Sequence, residues 1–338
     1  MTAPVTVVVP AHGAADTVRP LLTALDAQAD GSPVPVVVAD DASSQPLAEA
    51  LAGRDWPHLE LRVVRRDENG GPGAARNTGL AEVATAWVAF LDADTVPGPG
   101  WLDRLTHAVA ATDGPDVLEG RTRIPTDRPV TPFTHATEAA PPAQHVAGNV
   151  AFRTALLREA GGFDERFYDP ARRLHFREDA ELAFRLDARG ARFAYDPDLV
   201  VEHPPLPESF WTPVRLARRY YFDPLLAREH PAAFRALNEE RRVGPVSLRR
   251  ARHAAALLVA GSAAAAVGSR AAGRQGLARA SLVGLGVGWV ANVVATAWRR
   301  SVRPRDVVPL VGVSALVPWV YLWNYWRGVR RFRCRPRL

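Results

Sequence analysis

Four apolar runs of strand length, Val5–Val9, Val34–Ala39, Leu59–Val64 and Trp87–Leu91, are separated by stretches whose apolar residues recur at helical spacing. In Asp16–Gln28 the residues Val18, Leu21, Leu22 and Leu25 share one helical face, and Pro46–Ala52 and Gly73–Val83 fill the next two gaps. Strands that are apolar throughout need cover on both faces, and alternation with helices supplies it through right-handed crossovers. The expectation is an α/β fold over residues 1–210, a mostly parallel, Rossmann-like sheet flanked by helices. Such sheets bind ligands beyond the carboxyl ends of their strands. The residues just after each run therefore carry the chemistry.

Charge divides the chain. The net charge is +6, but residues 1–210 hold 19 Arg against 31 acids, and residues 211–338 hold 23 Arg against 5. The first part has the balance of an acidic soluble enzyme and the second that of a basic element seeking an anionic surface. Apolar runs between the Arg clusters favour lipid over nucleic acid as that partner. Ala280–Trp298 and Val307–Trp326 run for 19 and 20 residues without a formal charge, and about 20 are needed to cross a bilayer. Trp289, Trp298, Trp319 and Trp323 supply interfacial aromatics, whereas His253–Ser269 is Ala-rich and a marginal span. A pair of buried soluble helices is the competing reading. Residues 211–252 read as a basic, aromatic connector, and 253–338 as hydrophobic C-terminal helices with a basic tail. Val5–Val9 is too short for a cleavable signal and leads into Pro10, so the first part is expected on the cytoplasmic face of the cell membrane. The single cysteine, Cys334, excludes a disulfide framework or a Cys-based zinc site.

The run Trp87–Leu91 ends in Asp92-Ala-Asp94. Two carboxylates at a strand's carboxyl end suit Mg²⁺ or Mn²⁺ shared with substrate phosphates, although two Asp also serve as caps of the turn before Pro97. Asp40 and Asp41 come directly after the second run, placed either to accept hydrogen bonds from a base or ribose or to cap the next helix. In Asn69-Gly-Gly-Pro-Gly-Ala-Ala-Arg76-Asn77 the glycines admit a ligand close to the backbone, and a helix start offers amides to an anion. Arg76, one turn in, is placed to reach a phosphate or nucleoside.

In this order the motifs resemble those of the family 2 nucleotide-sugar glycosyltransferases of GT-A fold. The resemblance runs from Val7-Val-Val-Pro10 through Asp40-Asp41, Asn69–Leu80 and Asp92-Ala-Asp94 to Gly148-Asn149, Gly161–Glu165 and Arg177-Glu178-Asp179, roughly residues 4–205. It implies that Pro10, Asp40, Asp41 and Arg76 hold the donor nucleoside. It implies also that Asp92 and Asp94, with His203, stand near a divalent ion, and that Gly148 and Asn149 floor the acceptor site. Asp179 matches the family's catalytic base, with Glu178 as runner-up. A helix N-terminus favours an ionised carboxylate, so Asp179 is expected to be activated by position more than by a raised pKa.

No Gln-x-x-Arg-Trp motif comes after the Glu178-Asp179 pair, which argues for transfer of one sugar rather than polymerisation. The expected activity is inverting, metal-dependent transfer from a nucleotide diphosphate sugar to a lipid-linked or envelope glycan acceptor. A sugar-phosphate nucleotidyltransferase and a catalytically silent membrane-bound scaffold are the competing classes. Trp211, Tyr220 and Tyr221 are placed either to stack on sugar or to dock at a membrane.

Overall fold

The expected alternation is present. In the computed structural model β1 (Val5–Ala11), α1 (Ala15–Asp26), β2 (Val34–Asp40), α2 (Leu47–Leu51), β3 (Leu59–Arg65), α3 (Gly71–Ala81) and β4 (Trp87–Leu91) succeed one another. The structure describes residues 4–335 apart from 30, 112, 126–128, 138–146, 240–241, 244–245 and 299, with side chains at 238–253 also outside the description. The Pro- and Thr-rich stretch Ile124–Pro142, a loop by its composition, lies partly outside the described residues.

The chain continues through β5 (Val96–Pro97), α4 (Trp101–Ala110), β6 (Val117–Arg123), β7 (Asn149–Arg153) and α5 (Thr154–Glu159). A small hairpin of β8 (Tyr168–Asp169) and β9 (Leu174–His175) precedes α6 (Glu178–Asp187) and β10 (Phe193–Glu202). The sheet order is β3-β2-β1-β4-β7-β6-β10-β5. β3, β2, β1 and β4 are parallel neighbours. Beyond them β7 runs antiparallel between β4 and β6, β10 pairs parallel with β6, and β5 pairs antiparallel with β10, so the sheet stays mostly parallel with antiparallel insertions. Antiparallel neighbours need no crossover helix, so helix alternation carries no signal for them. The sheet is mixed.

Alternate side chains of β1 feed two cores. Val5, Val7 and Val9 pack with Leu21, Leu22 and Leu105 on one face, and Val8 packs with Phe90, Leu157 and Leu182 on the other. α3 can approach β1 closely because residue 79 has no side chain; a Cβ at Gly79 would collide with Val8 Cγ1.

The chain divides into two compact units, Met1–Thr126 with Ala136–Pro205, and Asp127–His135 with Leu206–Leu338. The second unit is helical. α7 (Thr212–Arg218), α8 (Asp223–Glu229) and α9 (Pro231–Glu239) lead through two short strands, β11 (Arg242–Val243) and β12 (Val246–Ser247), to α10 (Leu248–Ala271), α11 (Gln275–Ala297) and α12 (Val307–Arg331). The last three are long and apolar enough to cross a membrane. Tyr220 meets Tyr321 edge to face at 4.7 Å, and Tyr221 is buried against Phe332. Those two tyrosines are core residues of this unit, and Trp211 alone of the three aromatics is exposed.

Val8 has no exposed surface and no room to retreat. Gly79→Ala should therefore destabilise the first unit by about 2 kcal/mol, the scale of overpacking a filled core, read as a lower urea midpoint at unchanged m-value.

Candidate active site

Loops after β1, β2 and β3 are stitched together by the two acids that end β2. Asp40 has no exposed surface, and its carboxylate accepts from Ser43 N (2.9 Å), Leu47 N (3.0 Å) and Arg65 (2.6 Å). Burial pushes its pKa up, but the donors from Ser43, Leu47 and Arg65 outweigh burial and hold it below the usual carboxylate range. Asp41 accepts from the amides of Gly70 (2.9 Å) and Gly71 (2.8 Å), at the start of α3. The expected nucleoside contacts are thus occupied internally: both carboxylates shape the rim. Pro10 lies within β1, buried and in register with Ala39.

The rim offers other groups instead. His12 Nδ1 lies 2.8 Å from Asp41 O and 3.0 Å from Asn69 Nδ2, and Tyr168 OH donates to Asn69 Oδ1. Gly71, at φ +78°, leaves no room for a Cβ beside the Tyr168 ring. His12, Asn69 and Tyr168 were missed as site residues. His12 and Asn69 sit directly beside the Pro10 and Gly-rich motifs, which was the available signal.

At the centre stands Arg76, 4% exposed. It donates to Asp92 Oδ1 at 2.7 Å and lies 3.4 Å from Glu178 Oε1, with Phe163 under its guanidinium at 5.3 Å. The guanidinium expected to reach a phosphate thus bridges two acids. Gly148 permits it: a Cβ there would sit 2.6 Å from Asp92 Oδ2. Asn149 is 2% exposed; it accepts from Trp101 Nε1 (3.0 Å) and donates to Leu199 O (2.8 Å) and Arg121 O (3.1 Å), so its side chain is engaged in the core.

Asp179 opens α6 beside Glu178. Arg177, the residue before them, holds a left-handed φ of +81°, a backbone state that costs a non-glycine residue energy and that gathers at functional sites. A narrow apolar recess walled by Val150, Phe152, Phe163 and Phe193 reaches Asp179. Burial against that wall, and next the Glu178 charge, raise the Asp179 pKa to about 7; the Ala180 amide (2.7 Å), Arg76 and Arg177 pull it down only in part. Ionisation by helix position was the expectation. Desolvation and a like-charged neighbour override the half-charge of a short helix.

Asp94 Oδ1 faces His203 Nε2 at 3.4 Å. Burial raises the Asp94 pKa, His203 opposes the rise, and Asp92 adds to it. A carboxylate oxygen and an imidazole nitrogen turned toward each other are groups that a divalent cation such as Mn²⁺ can bind. Among the described residues no group of three acid, His or Cys side chains forms a complete metal site. Asp92, committed to Arg76, is the expected ligand that stands apart.

Residues 6–160 match the family model for glycosyl transferase family 2. The pre-mycofactocin glycosyltransferase of Mycobacterium tuberculosis (strain ATCC 25618 / H37Rv) is 33% identical over 220 residues, 59% of this chain and 42% of the relative. Succinoglycan biosynthesis protein ExoU of Rhizobium meliloti (strain 1021) is 30% identical over 203 residues, 56% of this chain and 58% of that one. The chain thus spans less than two thirds of the length of these relatives. The fold is like that of mannosyltransferase PcManGT from Pyrobaculum calidifontis, solved with GDP-Man and Mn²⁺ (TM-score 0.50, 20% identity, 96% of this chain and 84% of that chain).

Loss of three buried hydrogen bonds makes Asn149→Ala a stability variant, with about 2–3 kcal/mol lost. Its expected signature is a lower melting temperature with the acceptor KM of the surviving folded protein unchanged. A selective rise in that KM would return Asn149 to the acceptor site.

Proposed function

We propose, for a chain whose residues 6–160 belong to glycosyl transferase family 2, the inverting, metal-dependent transfer of one sugar from a nucleotide diphosphate sugar to a hydroxyl acceptor. The observation that carries this reading is the convergence on Arg76 of Asp92, from the end of β4, and Glu178, from the start of α6, with Asp179 beside it. Acids far apart in the chain meet on one cation. The donor class is supported by the family match and by relatives that are themselves glycosyltransferases.

Asp179 is the base. A carboxylate with a pKa of about 7 is matched to removing the acceptor proton near neutral pH. The apolar wall excludes water from the oxygen that attacks the anomeric carbon. Glu178 keeps Asp179 basic through its charge, and Arg76 prevents that charge from repelling Asp92. Asp94 and His203 would hold the divalent cation, whose chemistry is to neutralise the departing diphosphate. Asp41 and the loops it ties, with His12 and Asn69, preorganise the rim where the nucleoside binds. The acceptor is a lipid-linked or envelope glycan, and the apolar second unit keeps the protein at the cytoplasmic face of the membrane carrying it.

A base is active when ionised, so kcat/KM should climb about tenfold per pH unit up to about 7 and level off above it. Glu178→Gln removes the like charge and should move the acid limb to lower pH. Asp179→Asn should abolish turnover while a nucleotide sugar with Mn²⁺ still raises the melting temperature. A thermal-shift panel of UDP-, GDP- and dTDP-sugars with and without Mn²⁺ names the donor first. Full activity of Asp179→Asn on that donor would refute the assignment.

A further inference from the structure

Three C-terminal helices have the length and hydropathy of membrane spans, and apolar length alone singled out α11 and α12. We propose instead that α10 and α11 form a re-entering hairpin that crosses the bilayer and returns, while α12 stays on the side from which α10 enters. This rests on the membrane association proposed above and goes beyond it to topology.

The packing chemistry separates the helices. α10 and α11 meet through small residues: a Cβ at Gly284 would stand 2.5 Å from Ser262 Oγ, and one at Gly288 would stand 2.8 Å from Val259 Cγ2 and 3.1 Å from Ala255 O. Gly-x-x-x-Gly seams of this kind hold helices together in lipid, where apolar side chains gain nothing by leaving the solvent. The outer faces are apolar and uncovered, with Val267 73% and Val283 68% exposed, and α11 is the least buried of the three helices. The sixteen residues from Ala254 to Ser269 carry no charge and rise about 24 Å, close to the thickness of a hydrocarbon core.

α12 is held differently. Its inner face packs as in a soluble core, with Tyr321 and Leu322 against Ala217, and Gly328 against the backbone of Tyr221, where a Cβ would collide with the carbonyl oxygen. Ala256 of α10 and Trp289 of α11 also reach it, but the other elements packed on it, α7, α8 and the turn between them, carry Arg215, Arg218, Arg219, Asp223, Arg228 and Glu229. A spanning α12 would drag these charges into hydrocarbon or strip the helix of its partners. Beyond Val307 at its start, its large exposed apolar residues form one stripe, Val308, Leu316, Trp319, Trp323 and Trp326. A single tryptophan-rich stripe suits a helix lying at the headgroup level.

Charge agrees with this. Nine arginines flank the two ends of the hairpin, within residues 241–252 and 299–305, against three about its turn, Arg270, Arg274 and Arg279. The richer side faces the cytoplasm under the positive-inside tendency.

Cys334, the one cysteine, is a built-in reporter beyond α12. A membrane-impermeant maleimide is applied to inverted and right-side-out vesicles from cells making the full chain, with the wild type and with Ala272→Cys in a Cys334→Ser background. Detergent controls establish that each thiol reacts. The expected result is labelling from opposite sides, Cys334 in inverted vesicles and position 272 in right-side-out ones. Three spans, an α11–α12 pair, or no span at all would each put both positions on one side, and such a result in a membrane-retained protein overturns the hairpin. Release of the protein by alkaline carbonate would overturn the membrane association itself.

Discussion

The first unit depends on a buried guanidinium. Arg76 is almost fully removed from solvent, which is costly for a permanent cation unless acids meet it. Asp92 and Glu178 do so, Asp92 from the partly exposed end of β4 and Glu178 from the buried start of α6. One end of β4 and one end of α6 are thereby fixed to α3. α3 is itself anchored at both of its ends, by Asp41 on its first amides and by the Gly79 contact with β1. A close helix–strand approach at one place thus sets the distance between acids at another.

The parallel half of the sheet was legible because both of its faces are covered, so its strands read as unbroken apolar runs between helical stretches. β6 and β7 were not: Leu-Glu-Gly-Arg-Thr within Val117–Arg123 mixes buried and exposed positions, and an antiparallel neighbour leaves no helix in the sequence to announce it. Residue types at the site were legible for the same reason that motifs exist, but their partners were not. Asp40 and Asp41 look alike in sequence, ending one strand side by side. Only the fold shows one latching the loop of Ser43 and Leu47 and the other the start of α3. Asn149 misleads in the same way, since a polar residue after a glycine reads as a loop contact until three core partners surround it.

Apolar length is a similarly incomplete signal in the second unit. It measures whether a helix tolerates lipid, not whether other elements already cover it. α12 has the composition of a span yet is the most buried of the three helices, whereas α10, less apolar in sequence, keeps exposed apolar residues such as Leu257, Leu258 and Val267. The small residues that make α10 look weak are the ones that let α11 come close.

The state of Asp179 arises from two opposed demands. A base must be ionised to take a proton, yet it must be poorly solvated to hold that proton firmly enough to matter. A carboxylate in water meets the first demand and fails the second. Phe163 serves both sides of the balance here, because its ring lies under Arg76 and also walls the recess that desolvates Asp179. Arg76 favours the ionised form through space by its own positive charge, against the Glu178 charge that opposes it. Moving Arg76 into direct contact with Asp179 would lower the pKa and blunt the base, and removing it would leave two acids facing each other across a dry pocket. The intermediate placement, one residue away, is what lets a single cation tie the donor-side acid to the base and leave the base reactive.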